Sequence, residues 1–439
     1  MAIIAQPSLF SWKEIDSSPD IFRLCRVLDI MPDERLMRVL EAVRRGRRNE
    51  YPVRAMWNAF IAYVVFGHES VASMLRELAR NGELRDVCGF VSHGGAAMVP
   101  TECAFSRFIA KLRGHRALVE SIFDDLIETL GTLLPDFGRE LAIDGKAIHT
   151  HGRNDADANG GEKTYWNDED GSFKELKKWF GYKLHLVVDS KYEIPVAYEL
   201  TTASVGESPR LMPLIESIEK AHPEILARTK ALSADRGYDD GADKATLWEA
   251  YGIKPVIDAR DMAQGAMKPL DEKRHDTIYH SPTGEVCCRV DPFETDNAKA
   301  FATMQFMGYE PERGTLKYRC PAAAFGIECH NREACACKLR VRDGKYGRVV
   351  RVKLSMNPRI FMPTPRHTEG FTLAYAKRTA VERVNSRIDQ VYGFERHFIR
   401  GLQNMKLRVG LALIVMVATA VAWIKAGKPE RMRSLVRAA

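Results

Sequence analysis

The apolar residues of this chain change their period near Pro135, and that change limits the architectures open to it. From Ile21 to about Pro135 they recur at helical spacing, as in MWNAFIAYVVF and VASMLRELA, with few strand-like alternations. Beyond Pro135 come a short apolar run ending in a polar turn, RELAIDGKAI, and then KLHLVVDS and IPVAYEL, two predicted strands joined by a tight turn around Lys191. Helix-like SPRLMPLIESIEKA, strand-like KALSADRGYDD, helix-like ADKATLWEAYG and strand-like IKPVIDA follow. A hairpin followed by alternating strands and helices predicts an α/β fold, with a mixed sheet flanked by helices and an all-helical region in front of it.

Four segments follow from these changes of texture. Residues 1–135 are expected to form a helical N-terminal domain, 136–260 the first part of an α/β domain, 261–366 an insertion containing a cysteine cluster, and 367–439 a late helix with a helical tail. In the first segment, Ser70 to Leu84 and Thr101 to Leu112 fit two helices of a helix-turn-helix-like unit or an ordinary bundle equally well. The run Arg44, Arg45, Arg47, Arg48 fits a phosphate grip or a solvated helix end. The polar stretch from Arg153 to Trp179 is predicted to be a loop or flap, and Gly410 to Ile424 a buried helix, since it falls short of the about 20 apolar residues that span a bilayer.

Composition settles the broad class. With 439 residues, 45% hydrophobic and 28% charged, the chain is an ordinary globular sequence with room for more than one domain. A formal net charge of +7 favours a polyanionic partner, because clustered Lys and Arg gain free energy by releasing counterions from phosphate backbones. The N-terminus lacks the order of a secretory leader, so the expected location is cytoplasmic and nucleoid-associated, with no membrane. In that compartment nine cysteines are expected as thiols or metal ligands.

The residues that suggest chemistry are acidic. Asp144 follows the apolar run LAI, and Asp235 repeats the arrangement after ALSA, so both carboxylates are expected at the ends of neighbouring strands. Glu382 lies on a helix, AYAKRTAVERVNSRIDQ, where Tyr375, Arg378, Glu382, Asn385 and Asp389 share one face. Each acid alone is ordinary: strand-end Asp residues cap turns, and Glu382 with Arg378 makes a plain surface pair. Together they match what metal-assisted phosphoryl transfer requires, several carboxylates converging on two Mg²⁺ or Mn²⁺ ions roughly 4 Å apart.

At these residues the sequence resembles the insertion-sequence DDE transposases, in particular the group around insertion sequence four, whose catalytic domain is ribonuclease-H-like. The resemblance is carried by AIDGKAI, ADRGYDD and the spacing Y-x2-R-x3-E of Tyr375, Arg378 and Glu382, with support from Pro100 and Phe105-Ser106-Arg107-Phe108, and it covers most of the chain. It implies an enzyme that binds the inverted repeats of its own element as double-stranded DNA, nicks there and joins the freed 3′ end to target DNA. Asp144, Asp235 and Glu382 would hold the ions, while Arg378 and Tyr375 would contact the DNA end. Two ends must meet, which makes a homodimer plausible. One position departs from the family: Asp389 stands where it keeps a Lys, and Arg383 or Arg387 are the candidates to replace that DNA contact. A structure-specific nuclease and a catalytically silent DNA-binding derivative are the alternatives.

Two further groups remain. Trp166, Trp179 and Trp248 could stack on a flipped base, although core or loop positions suit each better. Cys320, Cys329, Cys335 and Cys337 could form a Zn²⁺ site in the insertion, against plain thiols, since their spacing is not that of paired C-x2-C.

Overall fold

The computed structural model describes residues 19–43, 51–90, 98–152, 154–166, 173–260, 266–271, 277–331, 335 and 346–433. Arg44, Arg45, Arg47 and Arg48 lie outside these residues, as does Cys337.

The front of the chain is helical: α1 Pro19–Ile30, α2 Glu34–Ala42, α3 Val53–Val65, α4 Val71–Arg80, α5 Gly82–Cys88, α6 Glu102–Gly114 and α7 Arg116–Leu133. Spacings of three and four select their inner faces, such as Ile21, Leu24 and Val27 on α1 and Met74, Leu75 and Leu78 on α4. Side-chain caps define several starts. Ser70 accepts a hydrogen bond from Ser73 N at 3.1 Å, Asn81 from Leu84 N at 3.0 Å and Thr101 from Ala104 N at 3.2 Å. Asn81 accounts for a difference from the sequence reading. It leaves helical geometry to cap α5, so the single helix expected over Ser70 to Leu84 is two.

The second layer is a six-stranded mixed sheet. Its strands are β1 Glu140–His149, β2 Asn159–Trp166, β3 Phe173–Asp189, β4 Ile194–Thr202, β5 Ala231–Ala234 and β6 Lys254–Ile257, ordered β2-β3-β1-β5-β6, with β4 also paired to β3. β1 runs antiparallel to β3 and parallel to β5, and β5 parallel to β6. The parallel steps are connected by α8 Leu211–Ala221, α9 Pro223–Arg228 and α10 Gly241–Glu249. β3 divides in two: residues from Gly181 onward are almost all buried and pair with β1 and β4, while Phe173 to Lys178 are exposed and pair only with β2. The stretch expected as a loop or flap therefore contains a hairpin.

Between β6 and the late helices lie two small antiparallel sheets. One contains β7 Lys268–Pro269, β8 Ile278–His280, β9 Val286–Arg289 and β10 Phe301–Thr303; the other contains β11 Gln305–Glu310, β12 Thr315–Arg319 and β13 Val349–Lys353. Two short helices, α11 Asn297–Ala300 and α12 Pro321–Phe325, accompany them. Ile278, Val286, Cys288, Leu316, Tyr318, Val352 and Phe361 give this part its own core.

The chain ends with α13 Glu369–Ala376, α14 Thr379–Gln390 and α15 Leu402–Lys425. α15 is longer than the Gly410 to Ile424 segment and, among the described residues, is the one helix long and apolar enough to cross a membrane; 89% of its most apolar window is buried inside the protein. It packs on α1, α3, α6, α7 and β4, so one continuous core joins the front helices to the sheet.

That packing is tight at Gly410, where a Cβ would come 2.7 Å from the Tyr198 hydroxyl. Tyr198 has little freedom to retreat, because its ring lies edge-on to Phe123 at 5.2 Å. Gly→Ala inside a helix ordinarily stabilises by about 1 kcal/mol, whereas forcing a methyl into a filled core costs about 1–3 kcal/mol. We expect Gly410→Ala to lower the thermal midpoint, measured by circular dichroism; a rise would show that Tyr198 can move aside.

Candidate active site

Strand register builds the site. The parallel pairing of β1 with β5 ends at Ile143 opposite Ala234, so the next residues on the two chains, Asp144 and Asp235, fall side by side. Asp235 stands just past its strand, as expected. Asp144 does not: β1 continues to His149 because β3 remains its partner on the other side. Each carboxylate is oriented by backbone, Asp144 Oδ1 accepting from Gly145 N at 2.8 Å and Asp235 Oδ1 from Gly237 N at 2.7 Å.

The third acid in this group is Glu207, a residue the sequence reading missed. It precedes a 3₁₀ turn at Ser208–Arg210, in the loop after β4. Oxygens of Asp144, Glu207 and Asp235 all lie within 4.8 Å of one another, the one such group of potential metal ligands among the described residues. The glycines on either side leave room for it. A Cβ on Gly145 would lie 2.7 Å from Glu207 Oε1, and one on Gly237 2.2 Å from Glu207 Oε2. No apolar run leads into it as LAI leads into Asp144 and ALSA into Asp235, so no comparable signal marks it in the sequence.

Cations balance the acids. Lys163 Nζ lies 3.5 Å from Asp144, 3.4 Å from Glu207 and 3.3 Å from Asp235. Lys183 is buried and donates to Val205 O at 2.8 Å, tethering the loop that carries Glu207. Burial, together with repulsion from Asp235, raises the Asp144 carboxyl above the usual range despite Lys163. Glu207 is pushed up to about 7 by burial first, then by Asp235 and Asp144, with Lys163 opposing. An all-oxygen set of clustered carboxylates in a polar cleft suits a hard cation such as Mg²⁺ or Mn²⁺.

Glu382 sits beside this group rather than in it. Its carboxylate is half-exposed on α14 and accepts from Arg378 Nη1 at 2.6 Å. Arg378 in turn acts on Asp144, whose carboxyl it favours in the charged form, and lies 5.5 Å from the centre of the Tyr375 ring, which stacks on Phe371. Tyr375, Arg378 and Glu382 thus border the acids. Arg383 and Arg387 point elsewhere: both engage Glu193 at the β3–β4 turn, Arg383 Nε at 2.6 Å from its carboxylate and Arg387 through its carbonyl. Asp389 pairs with Lys146 of β1 at 2.5 Å, so its charge is neutralised from the strand.

The remaining candidates separate clearly. Trp179 is buried, its indole donating to Tyr182 O at 3.0 Å, and Trp248 lies edge-on to Tyr309 at 5.3 Å, so both are packing residues; the side chain of Trp166 lies outside the described residues. Cys287 and Cys288 are buried on β9, and the Cys288 thiol is pushed up to about 12 by burial, with Cys335, Cys320 and Cys329 near enough to add to the rise.

Residues 135–418 match the family described as transposase DDE domain. The chain belongs to that family. A relative named as a transposase for insertion sequence element IS402, from Burkholderia cepacia, is 34% identical over 109 residues, 23% of this chain and 50% of its own length. The chain thus spans about half of the curated relative it matches. Among solved structures, a piggyBac transposase synaptic complex with hairpin DNA aligns over 97% of this chain and 80% of its own at 11% identity, with a TM-score of 0.39. In this DDE transposase domain Asp144 and Asp235 are adjacent, and the glutamate grouped with them is Glu207 rather than Glu382.

The raised Glu207 carboxyl makes a signed prediction. A carboxyl lifted from 4.5 to about 7 favours folding only while protonated; that contribution is present below pH 4.5 and is lost as pH rises through about 7. Without divalent ions, Glu207→Gln should therefore gain stability over the wild type by about 1–3 kcal/mol at pH 8 and little at pH 4. Urea unfolding in EDTA at both pH values measures it, and an equal effect at both would refute the shift.

Proposed function

We propose that this chain is an active transposase that binds the terminal inverted repeats of its insertion sequence as double-stranded DNA, cleaves there and transfers the freed 3′ end to target DNA. The observation that carries this reading is the adjacency of Asp144 and Asp235 at the end of the β1–β5 ladder, with further carboxylates within reach. A ribonuclease-H-like catalytic fold is supported by the order β4-β3-β1-β5-β6, three antiparallel strands followed by two parallel ones.

Asp144 and Asp235 would hold two Mg²⁺ or Mn²⁺ ions, with Glu382 or Glu207 as the third carboxylate. Bound there, the ions would supply an activated oxygen nucleophile and neutralise charge on the leaving oxygen. The protein's own share is positioning. Arg378 is suited to grip a phosphate beside the acids, since guanidinium binds phosphate oxygens in pairs, and Tyr375 holds Arg378 in place. Of the basic residues near Glu382, Arg383 and Arg387 pair with Glu193 and Lys146 pairs with Asp389, so a DNA contact by any of them would require that pair to open. A homodimer would bring two element ends together, and such a protein would work at the bacterial nucleoid.

The presence of every acid favours catalysis over a silent DNA-binding derivative, and joining activity distinguishes a transposase from a structure-specific nuclease. In the insertion, Zn²⁺ held by Cys320, Cys329, Cys335 and Cys337 remains a separate proposal; Cys337 lies outside the described residues, and the other three do not by themselves bring their sulfurs as close together as the oxygens of the acid group. Metal analysis after exhaustive dialysis decides it, since finding no zinc removes the site.

The decisive assay is cleavage and strand transfer on element-end DNA with Mg²⁺ or Mn²⁺. Asp144→Asn and Asp235→Asn should each lower the rate by at least about a thousandfold, the scale on which metal-held electrostatic stabilisation acts. Glu382→Gln and Glu207→Gln then compete: the true third ligand should show a comparable loss, and the other only a small one. Binding to the same DNA should weaken steeply as salt rises, because phosphate contacts release counterions; a flat response would argue against a DNA partner.

A further inference from the structure

Lys163 belongs to no motif in the sequence, yet it makes the most evenly shared contact in the acid site. It stands on β2 opposite Lys177 of β3, in the part of the hairpin that projects beyond the buried sheet. From there its Nζ reaches one oxygen each of Asp144, Glu207 and Asp235 at 3.5, 3.4 and 3.3 Å, and those acids have oxygens within 4.8 Å of one another. The ammonium therefore stands where a cation bridging the three would stand. A divalent ion binds carboxylate oxygens at about 2.0–2.1 Å and carries twice the charge, so it and Lys163 cannot share the same oxygens.

Two properties make this contact exchangeable. The side chain is a compact charge on a flexible four-carbon stem, partly open to solvent, so it can swing without refolding its strand. The hairpin that carries it also places Lys177 and Lys178, opposite Lys163 and Glu162, on its exposed outer part. A duplex laid across the acids brings phosphates beneath that hairpin and offers Lys163 a second anion.

We infer that Lys163 is the built-in counter-ion of the acid site: it holds the cation position in the DNA-free protein, moves to the DNA backbone when a duplex binds, and so couples divalent-ion loading to DNA binding. This rests on the reading of Asp144 and Asp235 as metal ligands. The coupling is reciprocal, since an interaction that DNA relieves for the metal is one that the metal relieves for DNA. Its consequence is that ions are loaded mainly where a substrate is already present.

The test is Mn²⁺ affinity of the full-length protein, read from the electron paramagnetic resonance signal of free Mn²⁺, with and without duplex DNA carrying the flanking inverted repeat. Without DNA, Lys163→Met should bind Mn²⁺ roughly tenfold more tightly than wild type, a factor worth one decade of affinity. Lys163→Arg should stay near wild type, and Lys254→Ala, an exposed residue on β6 away from the hairpin, should change nothing. Adding duplex should tighten Mn²⁺ binding to wild type and close most of the gap to Lys163→Met. Equal or weaker binding by Lys163→Met without DNA, in a protein with wild-type circular dichroism, overturns the counter-ion role. A gap that persists undiminished with duplex overturns the transfer to DNA. If Asp144→Asn and Asp235→Asn leave Mn²⁺ affinity unchanged, the metal-site reading itself fails, a result separable from either.

Discussion

The site depends on where one ladder of hydrogen bonds ends. β5 is short and stops at Ala234, opposite Ile143 in the middle of β1, and the next residue on each chain is an aspartate. Bringing two carboxylates together in a partly buried place is unfavourable unless something opposes their repulsion. The surrounding structure can be understood as that opposition: Lys163 from the hairpin, Lys183 from the sheet and Arg378 from the late helices all act on the same acids. The sheet supplies the stiffness. Asp144 is held by its pairing with Leu186 of β3, and the residue before it, Ile143, is paired to both β3 and β5.

Legibility in the sequence followed burial. LAI before Asp144 and ALSA before Asp235 are apolar because β1 and β5 lie inside the sheet, and runs of that kind reveal both the strands and the acids that follow them. The hairpin formed by β2 and the outer half of β3 escaped for the converse reason: Phe173 to Lys178 are exposed on both faces, so no alternation marks them. Glu207 could not be placed from its neighbours, since its position depends on how the loop after β4 folds back over β1 and on glycines at 145 and 237 that admit it. The break at Asn81 was written in a residue suited to capping, yet the apolar spacing across it is nearly continuous.

Charge on the late helix shows a different limit. A pattern along one helix can say which residues share a face, but it cannot say which neighbour that face meets. Arg383 and Arg387 are basic and close in sequence to Glu382, yet Glu193 at a turn of the sheet takes both. Asp389 puts a negative charge on the helix, and Lys146, two residues after Asp144, neutralises it from the strand. The two charges cancel across the contact between strand and helix, an arrangement visible only once the strand and helix are packed together.

The longest helix has a mechanical consequence. α15 passes through the middle of the molecule, touching α1, α3 and α6 on one side and β4 on another, and Arg408 on it is buried, donating to Tyr392 O at 2.5 Å and lying 4.8 Å from the centre of the Tyr63 ring. Turning the front helices against the sheet would shear that shared core and strip a charged group of its partners. Force applied at one end of the molecule is therefore delivered to the other with little slack, as along a shaft. The two small sheets pack around a core of their own but are pinned to the same frame, Arg359 pairing with Asp239 and Arg366 donating to Ile257 O of β6 at 3.0 Å.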